Sequence, residues 1–442
     1  MEEKTLTLTR GVSVLPWELV IEILSWLPVK TLLRFRCVSK SWKSLISDDK
    51  SFTKLHLNRS LQNEHFLLKL ELTNFIEDGV FPIPVSRLLN GPPSIDDDWF
   101  SRVRYNYSQI DDGCDRRFKS MYSDYCSRLK SDYSILKSDY SILGSYNGLV
   151  CLLGWYEFSY PTEQVWIRLW NPATRSMSRK SPICAVPYDS WKYYGFGYDH
   201  SRHAYKVVMV LWDCDEKKME TIVYCMGDAC WRKVSSNHGF PLRLKAFEGQ
   251  FVDGCMNWLA LDKLNSHSHS WRDANVTLDH LVIVSFDMRQ EAYRFLSLPE
   301  GVSHEVPHDH SNLGVLRNCL CLFHDHNKTH FVVWQMREYG VHESWTQLAT
   351  ISYTHLRCDG FPLYSPLMCF CEDRDIVLFL NKTWSGSNEY QGLEVVMYNL
   401  RDNSGKCVIQ LRNNKLSLCG NDYVQSLVSP CQDYALRANL FC

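Results

Sequence analysis

Between about Ser141 and Leu411 the chain repeats one pattern five times: an apolar strand, a tight turn, a second apolar strand, then a third and a fourth. The tight turns fall at Tyr146-Asn147-Gly148, His200–His203, Val252-Asp253-Gly254, Arg317-Asn318 and Glu372–Asp375. Asn-Gly and Asp-Gly are strong hairpin signals because both central residues tolerate positive φ. Centres at Gly148, Arg202, Gly254, Asn318 and Arg374 lie 54, 52, 64 and 56 residues apart. The third strands, VWIRLWN, TIVYCMGD, LVIVSFD, FVVWQM and LEVVMYN, end 57, 59, 48 and 64 residues apart. Fourth strands follow in WRKVSS, YRFLSLP, WTQLATIS and CVIQL. Two landmarks drifting together at this period predict an all-β, propeller-like domain. Strand-like pieces remain at His65–Leu70 and Tyr423–Val428. Pairing the two ends of the chain removes exposed sheet edges, so the expected ring has five full repeats plus a split sixth blade.

The first sixty residues are of another kind. LPWELVIEILSWLPVKTLLRFRCVSKSWKSLI carries an apolar stripe at Leu19, Ile23 and Leu27, with Leu24 beside it. Pro16 suits a first helical turn, Glu18 favours the positive end of the helix dipole, and Pro28 ends the helix or bends the chain. A second helical pattern runs through Leu32, Leu33 and Phe35, and a third through Val38, Trp42, Leu45 and Ile46. Three helices in about 35 residues enclose little core, and so small a piece normally needs a partner to be stable. The segment to residue 60 has ten Lys/Arg against six Asp/Glu. Such an excess is usually a solvated face, although it can also steer an acidic partner.

This all-α segment closely resembles the F-box. The resemblance rests on Leu15-Pro16, Ile23-Leu24, Leu27-Pro28-Val29, the run Leu32 to Lys40, and Trp42. Trp17 and Trp26 depart from the acidic residue and the Arg common at their positions. The repeat region is similar to the F-box-associated domain of many plant proteins, itself related to kelch-like propellers. Here the match is carried by SYNGLV from Ser145, LWNPATR from Leu169, YGFGYD from Tyr194 and VDGCMNWL from Val252. The two resemblances imply a plant F-box protein. It would be a non-catalytic substrate receptor of a cullin-based SCF ubiquitin ligase, docked on a Skp-type adaptor through Leu15, Pro16, Leu19, Ile23, Leu24, Leu27, Pro28, Leu32, Leu33, Val38 and Trp42. The expected organisation is a tail over 1–11, the F-box over 12–58, a connecting region with first strands and an inserted loop over 59–144, the propeller over 145–430 and a tail over 431–442. The stretch 90–143, with GPPSIDDDWF and KSDYSIL twice in tandem, departs from the family pattern.

Strand order puts the loops between second and third strands, and those between one repeat and the next, on a single face. These are the long loops, where recognition usually lives. Their aromatics nominate Trp155, Tyr156, Trp191, Tyr193, Trp212, Trp271 and Trp384, with Arg272, for substrate binding, because Trp, Tyr and Arg dominate binding hot spots. For any one of them, packing under its own loop is the plainer reading.

Other chemistry finds less support. With 48 Lys+Arg against 50 Asp+Glu, the chain lacks the cationic excess that nucleic-acid binding requires. Apolar runs are too short to span a bilayer, and the leading residues do not read as a secretory signal, so 18 cysteines are expected as reduced thiols in the cytoplasm or nucleus. Cys319, Cys321, His324 and His326 have the residue types of a zinc site, yet no Cys-x-x-Cys occurs, so neither metal nor cofactor is assigned. Nucleotide-binding and hydrolase motifs are missing. Glycosidase chemistry inside a propeller funnel stays open as the rival reading: a propeller enzyme or carbohydrate-binding protein whose helical segment oligomerises.

Overall fold

The computed structural model of the chain describes residues 15–60, 64–72, 79–84, 141–159, 161–213, 218–234, 243–261, 280–300, 302, 311–326, 329–352, 367–371, 375–384, 390–411 and 416–431. GPPSIDDDWF and nearly all of the KSDYSIL tandem lie outside these residues, as do Trp271 and Arg272.

The head has four helices rather than three. They are α1 (Trp17–Ser25), α2 (Val29–Phe35), α3 (Lys40–Asp48) and α4 (Lys50–Ser60). Pro16 and Pro28 stand just before the first two helices, where a missing N–H costs nothing. Ser39 caps α3, accepting from the Trp42 amide at 3.1 Å. Asp49 starts α4 by accepting from the amides of Ser51 and Phe52 at 2.8 and 2.9 Å. That Asp cap, followed by Phe52, His56 and Leu57 on one buried face, is the signal for the fourth helix. Leu24, Leu32, Leu45, Ile46 and Phe52 form the core of the head, and Leu427 from the far end of the chain packs against it. Part of the core that three helices would lack therefore comes from the same polypeptide.

The described strands form six sheets. From inner to outer strand, the first blade is Ser141–Tyr146, Leu149–Ser159, Thr162–Asn171 and Ser176–Met177, and Cys184–Pro187 pairs with the far end of its third strand. The second is Trp191–Asp199, Ala204–Asp213, Lys218–Cys225 and Arg232–Val234. In the third, Arg243–Leu244 and Gln250–Val252 share one edge of Cys255–Leu261, followed on its other edge by Leu281–Asp287 and then Ala292–Leu296. The fourth is Asn312–Leu316, Cys319–His326, His330–Met336 and Trp345–Ser352. The fifth is Leu367–Cys371, Ile376–Trp384, Tyr390–Asn399 and Ser404–Leu411. Positive φ occurs in all five inner hairpin turns, at Asn147, His203, Asp253, Arg317 and Asp375. Each blade's third-to-fourth turn has it too, at Arg175, Gly227, Glu291, Gly340 and Asn403. Middle strands such as Ala204–Asp213 are buried along nearly their whole length because neighbouring blades cover both faces.

The sixth sheet joins the two ends. Leu416–Val424 is its inner strand, pairing antiparallel with Glu64–Leu72, which pairs in turn with Gly79–Pro84. The inner strands of all six sheets touch their neighbours in a closed circle. The C-terminal strand begins and ends earlier than the spacing predicts, and Gln425–Val428 is instead a latch. Buried Asn171 donates from Nδ2 to the carbonyls of Ser426 and Val428 at 3.0 and 2.8 Å. Its Oδ1 accepts from the amides of Ala173 and Thr174, shaping the Asn-Pro-Ala-Thr turn. Ser426 Oγ donates to the Asn147 carbonyl at 2.9 Å.

Blades two and three are joined by a buried cation. Lys206, 1% exposed, donates to Asp199 and Glu291, each at 2.9 Å, and to the Met288 carbonyl. Burial alone would raise the pKa of Asp199. Hydrogen bonds from Ser201 and Lys206, the lysine charge and the Arg202 amide outweigh it and hold the carboxyl at about 2 instead of 3.8. The folded pKa is depressed, so the contribution is complete above the unfolded value and fades as pH falls through the folded one. It amounts to about 2 kcal/mol at pH 6 and roughly half of that at pH 3. Urea melts should accordingly show wild type and Asp199→Asn converging from pH 6 to pH 3; a constant gap would remove the ion pair as its cause.

Candidate functional site

Two surfaces stand out, one on the head and one on the ring. On the head, Leu15, Leu19 and Ile23 are spaced by four residues, on one face of α1 and its entry, and are 56%, 49% and 52% exposed. Trp17, Trp26 and Val38 are exposed nearby, and Leu27 and Leu33 are half-buried. Of the predicted adaptor-face residues, Pro16 and Pro28 are also exposed, and Trp42 is half-buried against Phe35 with ring centroids 5.4 Å apart. Leu24 and Leu32 face inward instead, 2% and 0% exposed. Leu24 follows Ile23 by 100° around the helix and so meets α2–α4 rather than solvent. Concentrated exposed apolar surface of this kind marks a protein-binding site.

The α1 face is held rigidly. Arg59 on α4 donates to both carboxylate oxygens of Glu22 at 2.7 Å and lies 4.6 Å from the centre of the Trp26 ring. Hydrogen bonds from Arg59 and Trp26 keep the Glu22 carboxyl below its usual range. His56 donates from Nε2 to the Leu27 carbonyl at 3.0 Å, and burial lowers its pKa although that bond pulls the other way. Leu57 on the same helix packs into the core shared by the first two blades. Helix α4 thus belongs to head and ring at once.

On the ring, a cavity of about 520 Å³ opens between the first and second blades, at the strand ends remote from the Asn147-Gly148 turn. Trp155 and Trp191, two of the predicted substrate residues, line it. Trp155 sits within Leu149–Ser159, since the stretch expected as a loop from Gly154 to Gln164 is an extended hairpin with Trp155 opposite Val165 and Tyr156 opposite Gln164. Trp212 and Trp384 likewise stand on strands. Tyr193 and Trp212 are 3% and 6% exposed and belong to the blade core, the plainer of the two readings. Tyr194, an aromatic of the same predicted loop as Trp191, also lines it, and residues that the spacing did not nominate complete the wall: Phe247, Glu163, Asp189, Lys192 and Glu248. Phe247 lies on a long loop of the predicted face, but a search for Trp, Tyr and Arg passes over it.

Of the cysteine–histidine group, Cys319 and Cys321 share one face of their strand while His324 and His326, an odd step further on, share the other. Burial of His324 lowers its pKa, and its Nε2 accepts from Trp334 Nε1 at 3.2 Å. Among the described residues no three of His, Cys, Asp and Glu gather as metal ligands, and no helix is long and apolar enough to cross a membrane.

Comparison with known proteins decides the family. The model of the F-box domain matches residues 12–54, and that of the F-box associated beta propeller domain matches residues 126–430, more than half of the chain. The chain belongs to the plant F-box proteins with an F-box-associated propeller. An F-box/kelch-repeat protein of Arabidopsis thaliana is 30% identical over 349 residues, covering 76% of this chain and 79% of its own. The F-box protein CPR1 of the same plant is 26% identical over 392 residues, covering 84% of this chain and 80% of its own. The four helices are thus the F-box region, whose presence implies binding to a Skp1-type adaptor, and the whole architecture supports an SCF-type substrate-adaptor role.

Proposed function

We propose that this F-box protein is the receptor subunit of a cullin-based ubiquitin ligase, in the cytoplasm or nucleus, and captures a protein substrate on the pocket face of its ring. The Leu15/Leu19/Ile23 stripe carries this reading: three large apolar side chains about half exposed, with Trp17, Trp26 and Val38 exposed beside them. Burying them in a groove of the adaptor would yield roughly 25 cal/mol per Å² before association costs. The ring needs no catalytic group, since holding a target lysine near a ubiquitin-loaded enzyme raises its effective concentration. Trp155, Trp191 and neighbours of the cavity hold the substrate.

Proximity labelling in plant cells with the intact chain and with Leu19→Asp/Ile23→Asp tests it. Proteins labelled by both forms should accumulate several-fold with the adaptor-blind form, and Trp191→Ala should lower their labelling. Labelled proteins whose abundance ignores the adaptor stripe would argue against a degradative receptor, and turnover of a sugar by adaptor-free protein would favour an enzyme.

A further inference from the structure

One surface of the head is strongly charged without being paired. From Ile23 to Ser47 the chain has no acidic residue and five basic ones, Lys30, Arg34, Arg36, Lys40 and Lys43. All five are exposed, on α2, on the link that follows it and on α3. Among the described residues none of them meets a carboxylate. Basic residues elsewhere do: Arg59 pairs with Glu22, Arg202 with Asp228, Arg232 with Glu291, and both Arg317 and Arg401 with Asp375.

For the head alone this arrangement is unfavourable. Lys30 and Arg34 are four residues apart on α2, and Lys40 and Lys43 three apart on α3, spacings at which like charges on a helix repel. Lys40 also opens α3, at the positive end of the helix dipole, with no acid in that first turn to offset it. Solubility alone would be served as well by mixed signs. The cations are interleaved with apolar groups. Val38, 61% exposed, stands between Arg36 and Lys40, and half-buried Leu33 and Trp42 adjoin Arg34 and Lys43. Apolar contacts set among unpaired cations fit an acidic protein surface, whereas a phosphate backbone would leave Val38 unmatched.

We infer that α2, the link from Arg36 to Ser39 and α3 receive an acidic face of the Skp-type adaptor, the five cations drawing it in and Leu33, Val38 and Trp42 closing on it. The inference rests on the receptor reading and adds a division of labour. Charge on α2 and α3 sets how fast the partners meet, and the apolar stripe on α1 sets how long they stay together.

The test measures association and dissociation rates of the full chain with a purified Skp1-type adaptor at low and high salt. Lys30→Glu/Lys43→Glu should slow association about tenfold or more at low salt and change dissociation less than about threefold. Lys50→Glu/Lys54→Glu, the same change of charge placed on α4, should stay within about threefold of wild type in both rates. Near 1 M salt, where screening acts within about 3 Å, wild type and the first variant should converge. The neutral pair Lys30→Gln/Lys43→Gln should fall between them, and all variants should keep the wild-type circular dichroism melt, since the substituted side chains are exposed and unpaired.

Association as fast as wild type, a loss no larger than that of the α4 control, or a loss that persists at high salt would overturn the assignment. Competition by a short DNA duplex at concentrations below those of the adaptor would make the surface a phosphate-binding one instead, with the same consequence. An adaptor that fails to bind wild type sinks the receptor reading itself. Binding that is lost with Leu19→Asp/Ile23→Asp yet ignores the five cations sinks this inference alone.

Discussion

Replacing Leu19 and Ile23 together by Asp is expected to weaken adaptor binding by more than about 100-fold while leaving the melting temperature nearly unchanged. Both side chains are about half exposed, and neither belongs to the head core, so the folded chain loses little by the change. In a complex they would each bury apolar area worth roughly 1.5–3 kcal/mol, and an unpaired carboxylate in their place adds a desolvation cost. A loss of about 3 kcal/mol already exceeds 100-fold in affinity. Leu32→Asp supplies the contrast: with no exposed surface, Leu32 packs on Leu24, Leu45, Ile46 and Phe52. A charge there should unfold the head, abolishing binding through loss of structure. Co-purification with the adaptor, read beside circular dichroism, separates the two. Retained binding by Leu19→Asp/Ile23→Asp would move the adaptor contact off α1.

The second large effect is expected at the closure of the ring. Asn171→Ala removes both hydrogen bonds to the C-terminal latch and both to its own turn, leaving the carbonyls of Ser426 and Val428 buried without that donor. At about 1–3 kcal/mol for each stranded buried group, a loss of roughly 3–5 kcal/mol follows. Gly148→Val attacks the same latch from the other side. Gly148 has φ +76°, and a Cβ there would lie 2.6 Å from the Val424 carbonyl oxygen and would run into Ser426. Both variants should melt earlier and release the segment after Leu416 to limited proteolysis before the blades are cut. A Tm within a degree of wild type for both would show that the velcro strand holds without its latch.

Much of this ring was legible because hairpin chemistry is local. Asn147-Gly148 and Asp253-Gly254 announce positive φ by residue type, and five such turns at a common period leave few alternatives to blades. The latch was not legible: Asn171 reads as the first residue of a turn, and its partners lie 255 and 257 residues away. Strand ends were misplaced for a related reason. Leu149–Ser159 and Thr162–Asn171 run on into what looks like loop, because pairing rather than composition decides where a hairpin stops. On the head, the apolar stripe was legible, but which member faced in depended on α4, whose Asp49 cap and Phe52 were passed over. Around the cavity, Trp191 was foreseeable from its loop. Phe247, Asp189 and Glu248 become neighbours only once two inner strands lie side by side.

Helix α4 ends at Ser60, and the closing blade takes up the chain at Glu64, alongside Val424, at the rim that also bears the Asn147 turn. The cavity between the first two blades opens on the other rim. The nine residues of Leu416–Val424 separate the rims by about 30 Å. With Leu57 and Leu427 locking the joint from both sides, the molecule is a ruler rather than a tether. Under the receptor reading proposed above, a bound guest would be held at a set stand-off from the cullin arm, so which of its lysines receives ubiquitin would become a question of reach, and two guests seated equally well could differ in fate.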